Sequence, residues 1–323
     1  MDKILLDVHC HLVPLTPALT EGIGGVAWDG GRAPLTIDGY TLASPDVYRV
    51  EALLDWMDAN AVGRAWISVP PPLYRLGLDE ARAVEWTGRL NQGLADVAGR
   101  HGDRLTPMFH LPVQHPAAAA SLAREWSARE KPIFAMPAGS AADGIVLSGE
   151  AYVPLWQALD AVDAFLFLHP CKGCDPRYEP FYLHNLAGSP IETALAAAHL
   201  SLSGILDRHT RITFCLAHAG GATAAIAGRL ERGQLTGRPG ADTGARKPRQ
   251  ALRNVCIDCI SHDAAALGFA ASMHGEDNVF FGSDWPFAMG LPEPHSQLGE
   301  VAPALKRKMF EGNPRRLLSK FGL

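Results

Sequence analysis

The chain has 323 residues, a formal net charge of −5 and 47% hydrophobic side chains, enough apolar material for one large core or two modest ones. A mildly acidic balance without a Lys/Arg block excludes electrostatic binders of nucleic acid or membrane surfaces. No apolar run approaches the ~18 residues of a membrane span, and Met1-Asp2-Lys3 leads into a short strand carrying Asp7 and His9 instead of a secretory leader. These features place the protein in the cytoplasm.

In chain order, strand-like runs fall at Ile4 to His11, Arg64 to Val69, Leu105 to Leu111, Pro132 to Met136, Ala164 to His169, Ile212 to His218, Val255 to Cys259 and Val279 to Asp284. Helical patterns alternate with them at Asp46 to Asn60, Asp79 to Arg100, Ala117 to Glu130, Val153 to Val162, Ile191 to His209, Ala222 to Arg232 and Ala264 to His274. A last helix at Ala302 to Phe310 and a shorter one after Asn313-Pro314 close the chain. Strands alternating with helices indicate parallel βαβ units. Eight such units at this length predict an α/β fold of the closed (β/α)8 TIM-barrel type, a single domain spanning 1–323. No GxGxxG follows the first strand to support a doubly wound sheet.

Two stretches break the rhythm. Residues 12–44 are Gly-rich (Gly22, Gly24, Gly25, Gly30, Gly31, Gly39) and follow the first strand, so they read as a lid-like insertion over the C-terminal mouth of the barrel. Residues 233–249 are polar and read as a solvated loop. The six cysteines include two CxxC pairs, Cys171/Cys174 and Cys256/Cys259. Positions i and i+3 of a strand face opposite ways and cannot chelate one ion, so the thiols read as structural.

The chemistry concentrates at strand ends. His9 and His11 lie on one face of the first strand with Cys10 on the other. His169 ends the run Phe165 to Leu168, His218 ends Ile212 to Ala217, and Asp284 ends Val279 to Ser283. In a barrel these five groups converge at the C-terminal mouth, where such enzymes do their chemistry. These five are metal-competent or proton-transfer residues, and their convergence reads as a metal site.

The combination Asp7-Val8-His9-Cys10-His11, Leu168-His169-Pro170, Ala217-His218-Ala219-Gly220-Gly221 and Gly282-Ser283-Asp284-Trp285-Pro286-Phe287 resembles the amidohydrolase superfamily. It is most similar to the branch of aminocarboxymuconate semialdehyde, resorcylate and carboxyvanillate decarboxylases and related hydratases, over nearly the whole chain and most closely from Ile191 to Phe287. The resemblance implies that His9, His11, His169 and Asp284 ligate one divalent ion, usually zinc and sometimes manganese, with His218 as the proton-transfer residue beside the metal-bound water. It also implies a homodimer. The two-metal hydrolases of the superfamily carry a carboxylated lysine at the end of strand four. Here that strand ends Phe134-Ala135-Met136-Pro137, which favours a mononuclear centre.

The expected reaction is non-oxidative decarboxylation of an unsaturated or aromatic carboxylic acid. The alternative is a mononuclear hydrolase or hydratase acting on an amide, ester or lactone through the same ligands. A small carboxylate substrate calls for an arginine. Arg49, in the first turn of the helical pattern Asp46 to Asn60, and Arg177, in the loop after His169, are the candidates, with Arg246 and Arg249 behind them. Trp285 and Phe287 read as pocket walls. His110, His115 and His262 read as hydrogen-bonding or surface residues, and Asp258 lies near the mouth without an assigned role.

Overall fold

The computed structural model describes residues 2–30, 33–139, 144–171 and 175–323. Cys174 of the first CxxC pair and Gly31 of the Gly-rich stretch lie outside the described residues. The expected alternation is present as a (β/α)8 barrel. The first strand, Ile4–His11, pairs in parallel with the second, Val62–Ser68, which pairs with Leu105–Pro107. A second parallel ladder runs through Phe109–His110, Ile133–Pro137, Phe165–His169, Thr213–Leu216 and Cys256–Ile257.

The third stave is therefore in two pieces. Pro107 has no amide hydrogen to donate, and the stave changes partner there: Met108 N donates to Ile67 O at 2.8 Å, then Leu111 N donates to Ala135 O at 3.1 Å. The eighth stave, expected as a strand at Val279 to Asp284, closes the ring without forming a regular ladder. Phe280 N donates to Ile257 O (2.9 Å), Val8 N to Phe281 O (3.0 Å), Asp284 N to His9 O (2.8 Å) and His11 N to Trp285 O (2.9 Å). Its pairing is confined to Val279 with Ile257 and Trp285 with Cys10. The backbone of Asp284 turns to a φ of 54°, which ends any extended run.

Two apolar layers flank this wall. Inside it, every stave contributes to one cluster that includes Leu6, Val8, Trp66, Met108, Phe165, Phe167 and Phe280. The C-terminal helix Asn313–Phe321 plugs the floor, with Phe321 edge-on to Trp66 at 5.8 Å between ring centroids. Outside it, a larger cluster joins strands to the helices Val50–Ala59, Glu80–Arg100, Pro116–Ser127 and Val153–Ala161, among others. Cys256 belongs to the inner layer and Cys259 to the outer one, so these two thiols do not face one ion.

The helices start where capping predicts: Asp79 accepts from Arg82 N at 3.0 Å and Asp263 from Ala266 N at 2.7 Å. The single helix expected from Ile191 to His209 is two, Ser189–Leu202 and Ile205–Arg208, parted by Gly204 at φ 72°. Residues 12–44 hold a short helix, Pro17–Thr20, and a small antiparallel sheet of Val26–Ala27, Leu35–Ile37 and Tyr40–Leu42. Arg75, in the loop after the second strand, clasps this sheet: Nε and Nη2 each reach Asp38 at 2.8 Å, and Nη2 donates to Gly24 O at 2.7 Å. The polar stretch 233–249 is tied back through Gln234, whose Nε2 donates to Asp242 O at 2.8 Å.

Candidate metal centre

The first strand carries a one-residue irregularity between Asp7 and Cys10. Bulges of this kind re-aim side chains. Here Leu6 and Val8 fill the inner cluster while His9 and His11, just above, are also fully buried beside the inner wall, with His9 against Phe167 at 4.8 Å. His169 follows Phe165 and Phe167 on the same face of its strand. Asp284 arrives from the closing stave.

The donor atoms of His9, His11, His169 and Asp284 lie within 4.8 Å of one another, and all four residues are buried. Asp284 Oδ1 is 3.3 Å from His9 Nε2 and 3.1 Å from His11 Nε2. Each imidazole is held through its other nitrogen: His9 Nδ1 by Asp258 Oδ2 (2.7 Å), His11 Nδ1 by Ser68 Oγ (3.2 Å) and His169 Nδ1 by Pro170 O (2.9 Å). Such outer partners fix the ring orientation of metal-ligating histidines. Three Nε2 atoms and a carboxylate at this spacing fit one divalent ion.

Protonation agrees with that fit. Burial keeps His11 below, and His169 well below, the usual imidazole range, so both are neutral ligands. Asp284 stays ionised well below the usual carboxylate range; burial opposes this, but His9 and the hydrogen bonds of His11 and His218 prevail. Burial likewise opposes charge on His9, yet Asp284 and Asp258 push it up to about 10. Three of the four groups thus already have the protonation state that ligation requires, and His9 exchanges its proton for the ion.

His218 sits beside the cluster, its Nε2 3.9 Å from Asp284 Oδ2 and its ring 5.1 Å from that of His169. Its backbone is left-handed, at φ 56°, and Ala219 follows at 53°. Two carboxylates without an assigned role in the sequence brace these elements. Asp258, fully buried, accepts from His218 N at 2.9 Å and Ala219 N at 2.8 Å as well as from His9. Asp7 accepts from Ser283 N and His9 N, both at 3.0 Å, and from Ser283 Oγ, cinching the first stave to the last. Burial lifts Asp7 to about 7 despite these donors. Both carry a signal readable in the sequence: a lone aspartate within or just beyond a short apolar run.

The opposite side of the mouth is made of rings. Tyr74 stacks flat on His110, 5.2 Å between centroids and 4° between planes, and meets His169 edge-on at 6.4 Å. His110 follows Met108 on the inward face and is completely buried, with neither ring nitrogen partnered by a described residue. Burial drives its pKa down to about 3, leaving a neutral imidazole. A cavity of about 370 Å³ opens beside His218 and Asp284 between Pro190, Ala224, Phe269 and Met289, with Asn185, Ser261 and His262 as polar lining.

The candidate substrate contacts are not in that lining. Arg49 caps the helix Val50–Ala59, and its largely exposed guanidinium lies 3.2 Å from Asp46 Oδ1. Arg177 is exposed and grips Asp175 through Nε at 2.9 and 3.0 Å, which holds that carboxyl down at about 2. Trp285 is 7% exposed and packs in the outer core, so its contribution is to the barrel wall. Arg246 is engaged by Asp207 and Leu206 O, and His115 by Leu78 O.

A (β/α)8 barrel with a buried three-histidine, one-aspartate cluster at its C-terminal mouth defines a metal-dependent enzyme class. The chain belongs to the amidohydrolase family, whose family model matches residues 6–320. It is 26% identical over 337 residues to 2-amino-3-carboxymuconate-6-semialdehyde decarboxylase of Dictyostelium discoideum, covering 98% of this chain and 92% of that protein. It is 26% identical over 291 residues to gamma-resorcylate decarboxylase of Rhizobium radiobacter, covering 83% and 86%. Among solved structures it superposes on 5-carboxyvanillate decarboxylase of Novosphingobium aromaticivorans, complexed with manganese and a nitrobenzoic acid, with a TM-score of 0.78, 21% identity and coverage of 99% and 96%.

Proposed function

We propose that the chain is a metal-dependent non-oxidative decarboxylase of an unsaturated or aromatic carboxylic acid. The observation that carries this reading is His218 poised 3.9 Å from the inner carboxylate Asp284 at the wall of the cavity, in a chain whose relatives act by decarboxylation. When bound by His9, His11, His169 and Asp284, a divalent ion supplies Lewis acidity that draws electron density from a substrate oxygen. Zinc is the proposed ion and manganese the alternative.

The chain's own residues then do the following. The buried, ring-walled mouth excludes water from the substrate and strengthens its electrostatic contacts. Protonated His218 Nε2 gives its proton to the carbon that bears the carboxylate. The C–C bond to the carboxylate breaks, its electron pair refills the π-system, CO2 leaves, and His218 takes a new proton from solvent. Arg49 and Arg177 are the proposed carboxylate contacts and Trp285 part of the wall supporting them. Residues 12–44 are proposed as a partial lid, clasped by Arg75. The net charge and the family resemblance support a cytoplasmic homodimer.

The test is CO2 release from a panel of aromatic and unsaturated acids by the zinc- or manganese-loaded protein, with lactones and amides run alongside. The expected result is CO2 from at least one acid and a loss of roughly 10²–10⁴-fold in His218→Asn. Turnover of a lactone or amide alone, or unchanged turnover in His218→Asn, would overturn the reading.

A further inference from the structure

Asp258 stands outside the ligand set and outside the cavity lining, yet both of its oxygens are spent on the two halves of the site. Oδ2 accepts from His9 Nδ1 at 2.7 Å and from His218 N at 2.9 Å; Oδ1 accepts from Ala219 N at 2.8 Å and Ile260 N at 3.0 Å. We propose that Asp258 is a positioning residue that ties occupancy of the metal centre to the placement of His218. This rests on the reading of His218 as the proton-transfer group.

Two conditions make the tie effective. The first is that the turn holding His218 depends on an outside carboxylate: its own bonds, Gly220 N to Ala217 O at 3.1 Å and Gly221 N to His218 O at 2.7 Å, leave the amides of His218 and Ala219 to Asp258. His218, Ala219, Gly220 and Gly221 run at φ 56°, 53°, 74° and 57°, four consecutive left-handed residues of which two carry a Cβ. Such backbone persists only where its surroundings over-determine it, and the amides of both strained non-glycine residues are held by Asp258. The second is that space is cleared for the carboxylate. A Cβ on Gly282 would lie 2.8 Å from the Cβ atoms of both Asp258 and His9, so only glycine there lets the two residues close on each other.

The chemistry of the coupling follows from the shared oxygen. Asp258 fixes the proton of His9 on Nδ1 and leaves Nε2 free to ligate. An ion held at Nε2 would polarise the Nδ1–H toward Oδ2, the same atom that receives the His218 amide. Linkage is reciprocal, so a disturbed His218 turn must also weaken the metal.

The discriminating substitution is Asp258→Asn, which keeps the shape but turns one oxygen into a donor. In either amide orientation two N–H groups face an N–H. We expect manganese affinity, measured by competition with a fluorescent chelator, to fall about 10–100-fold. At saturating manganese, kcat stays at least about tenfold low with KM within about threefold. Full recovery of kcat at saturating manganese would reduce Asp258 to a support for His9 and overturn the tie, as would unchanged affinity. A second variant, Gly220→Ala, touches no ligand; its Cβ would press on Ile257 Cγ2 at 3.1 Å and His274 Nε2 at 3.2 Å and so displace the turn. It should bind manganese at least about threefold more weakly, and unchanged affinity overturns the proposal even if Asp258→Asn does not fold. The affinities need no substrate, so they decide this inference even if no acid releases CO2 and the decarboxylase reading falls.

Discussion

The two sides of the barrel mouth are built by different physics. On the side of strands six, seven, eight and one, carboxylates do the joining: Asp7, Asp258 and Asp284 are buried, and each bridges elements far apart in sequence. On the side of strands two, three and five, joining is by stacked rings, with Tyr74, His110 and His169 in sequence and no carboxylate between them. A hydrogen-bonded carboxylate fixes angles to within a narrow range, which suits holding an ion and aiming a proton. A stack of rings fixes a surface and a low dielectric and tolerates sliding, which suits backing His169 without a directional bond. The comparison teaches that directional bonding and ring packing hold separate halves of one mouth, with the cavity opening on the bonded half beside His218 and Asp284.

Breaking the carboxylate half should have the largest effect. His11→Ala removes both a ligand and the partner of Ser68, and should reduce bound metal, measured by elemental analysis after dialysis, to background and turnover with it. Retained stoichiometric metal would show that the cluster does not hold the ion. Tyr74→Leu, by contrast, should leave metal content unchanged while lowering stability, read as a urea midpoint, by on the order of 1 kcal/mol through the lost stack on His110. A loss of metal in this variant would erase the distinction between the halves.

A pH-dependent effect concerns acid stability. His110 is held neutral to about pH 3 in the fold but titrates near 6.5 when unfolded, so the unfolded state binds the extra proton and stability falls as pH drops from 6.5 toward 3. The contribution is about 1.4 kcal/mol per pH unit within that window. Urea midpoints of His110→Phe between pH 7 and 5 should therefore decline less steeply than those of the parent; equal slopes would count against a neutral buried imidazole. His274, lowered by burial to about 4, adds a second such group that the variant leaves intact.

The smallest structural change is expected at the exposed arginines. Arg49→Met and Arg177→Met should each leave the urea midpoint essentially unchanged, since each guanidinium faces solvent with one aspartate partner. Their KM values separate them: the one that meets the substrate carboxylate should raise KM about tenfold or more. No change in either would remove both from recognition.

Much of this division was legible in the sequence. The spacing of His9 and His11 and the polar residues ending apolar runs at His169 and Asp284 require only strand parity and barrel geometry. The irregularity near His9 was not legible, because one extra residue in a strand leaves no compositional mark, although it brings Leu6, Val8, His9 and His11 alike to the inner wall. Asp258 follows Val255-Cys256-Ile257 much as Asp284 follows its own apolar run, so its burial was within reach; two of its four hydrogen bonds depend on a turn about 40 residues earlier. Substrate contacts were least legible, since they depend on where loops carry long, flexible side chains.

The floor plug has a consequence for how the molecule comes into being. Phe321 seals the interior beneath Trp66, and the closing stave hydrogen-bonds to the strand that begins at Ile4. The strand that begins at Ile4 thus waits for a segment far along the chain, and His9 and His11 stay without Asp284 until that segment has been made. The four-residue cluster is therefore a product of barrel closure and cannot precede it.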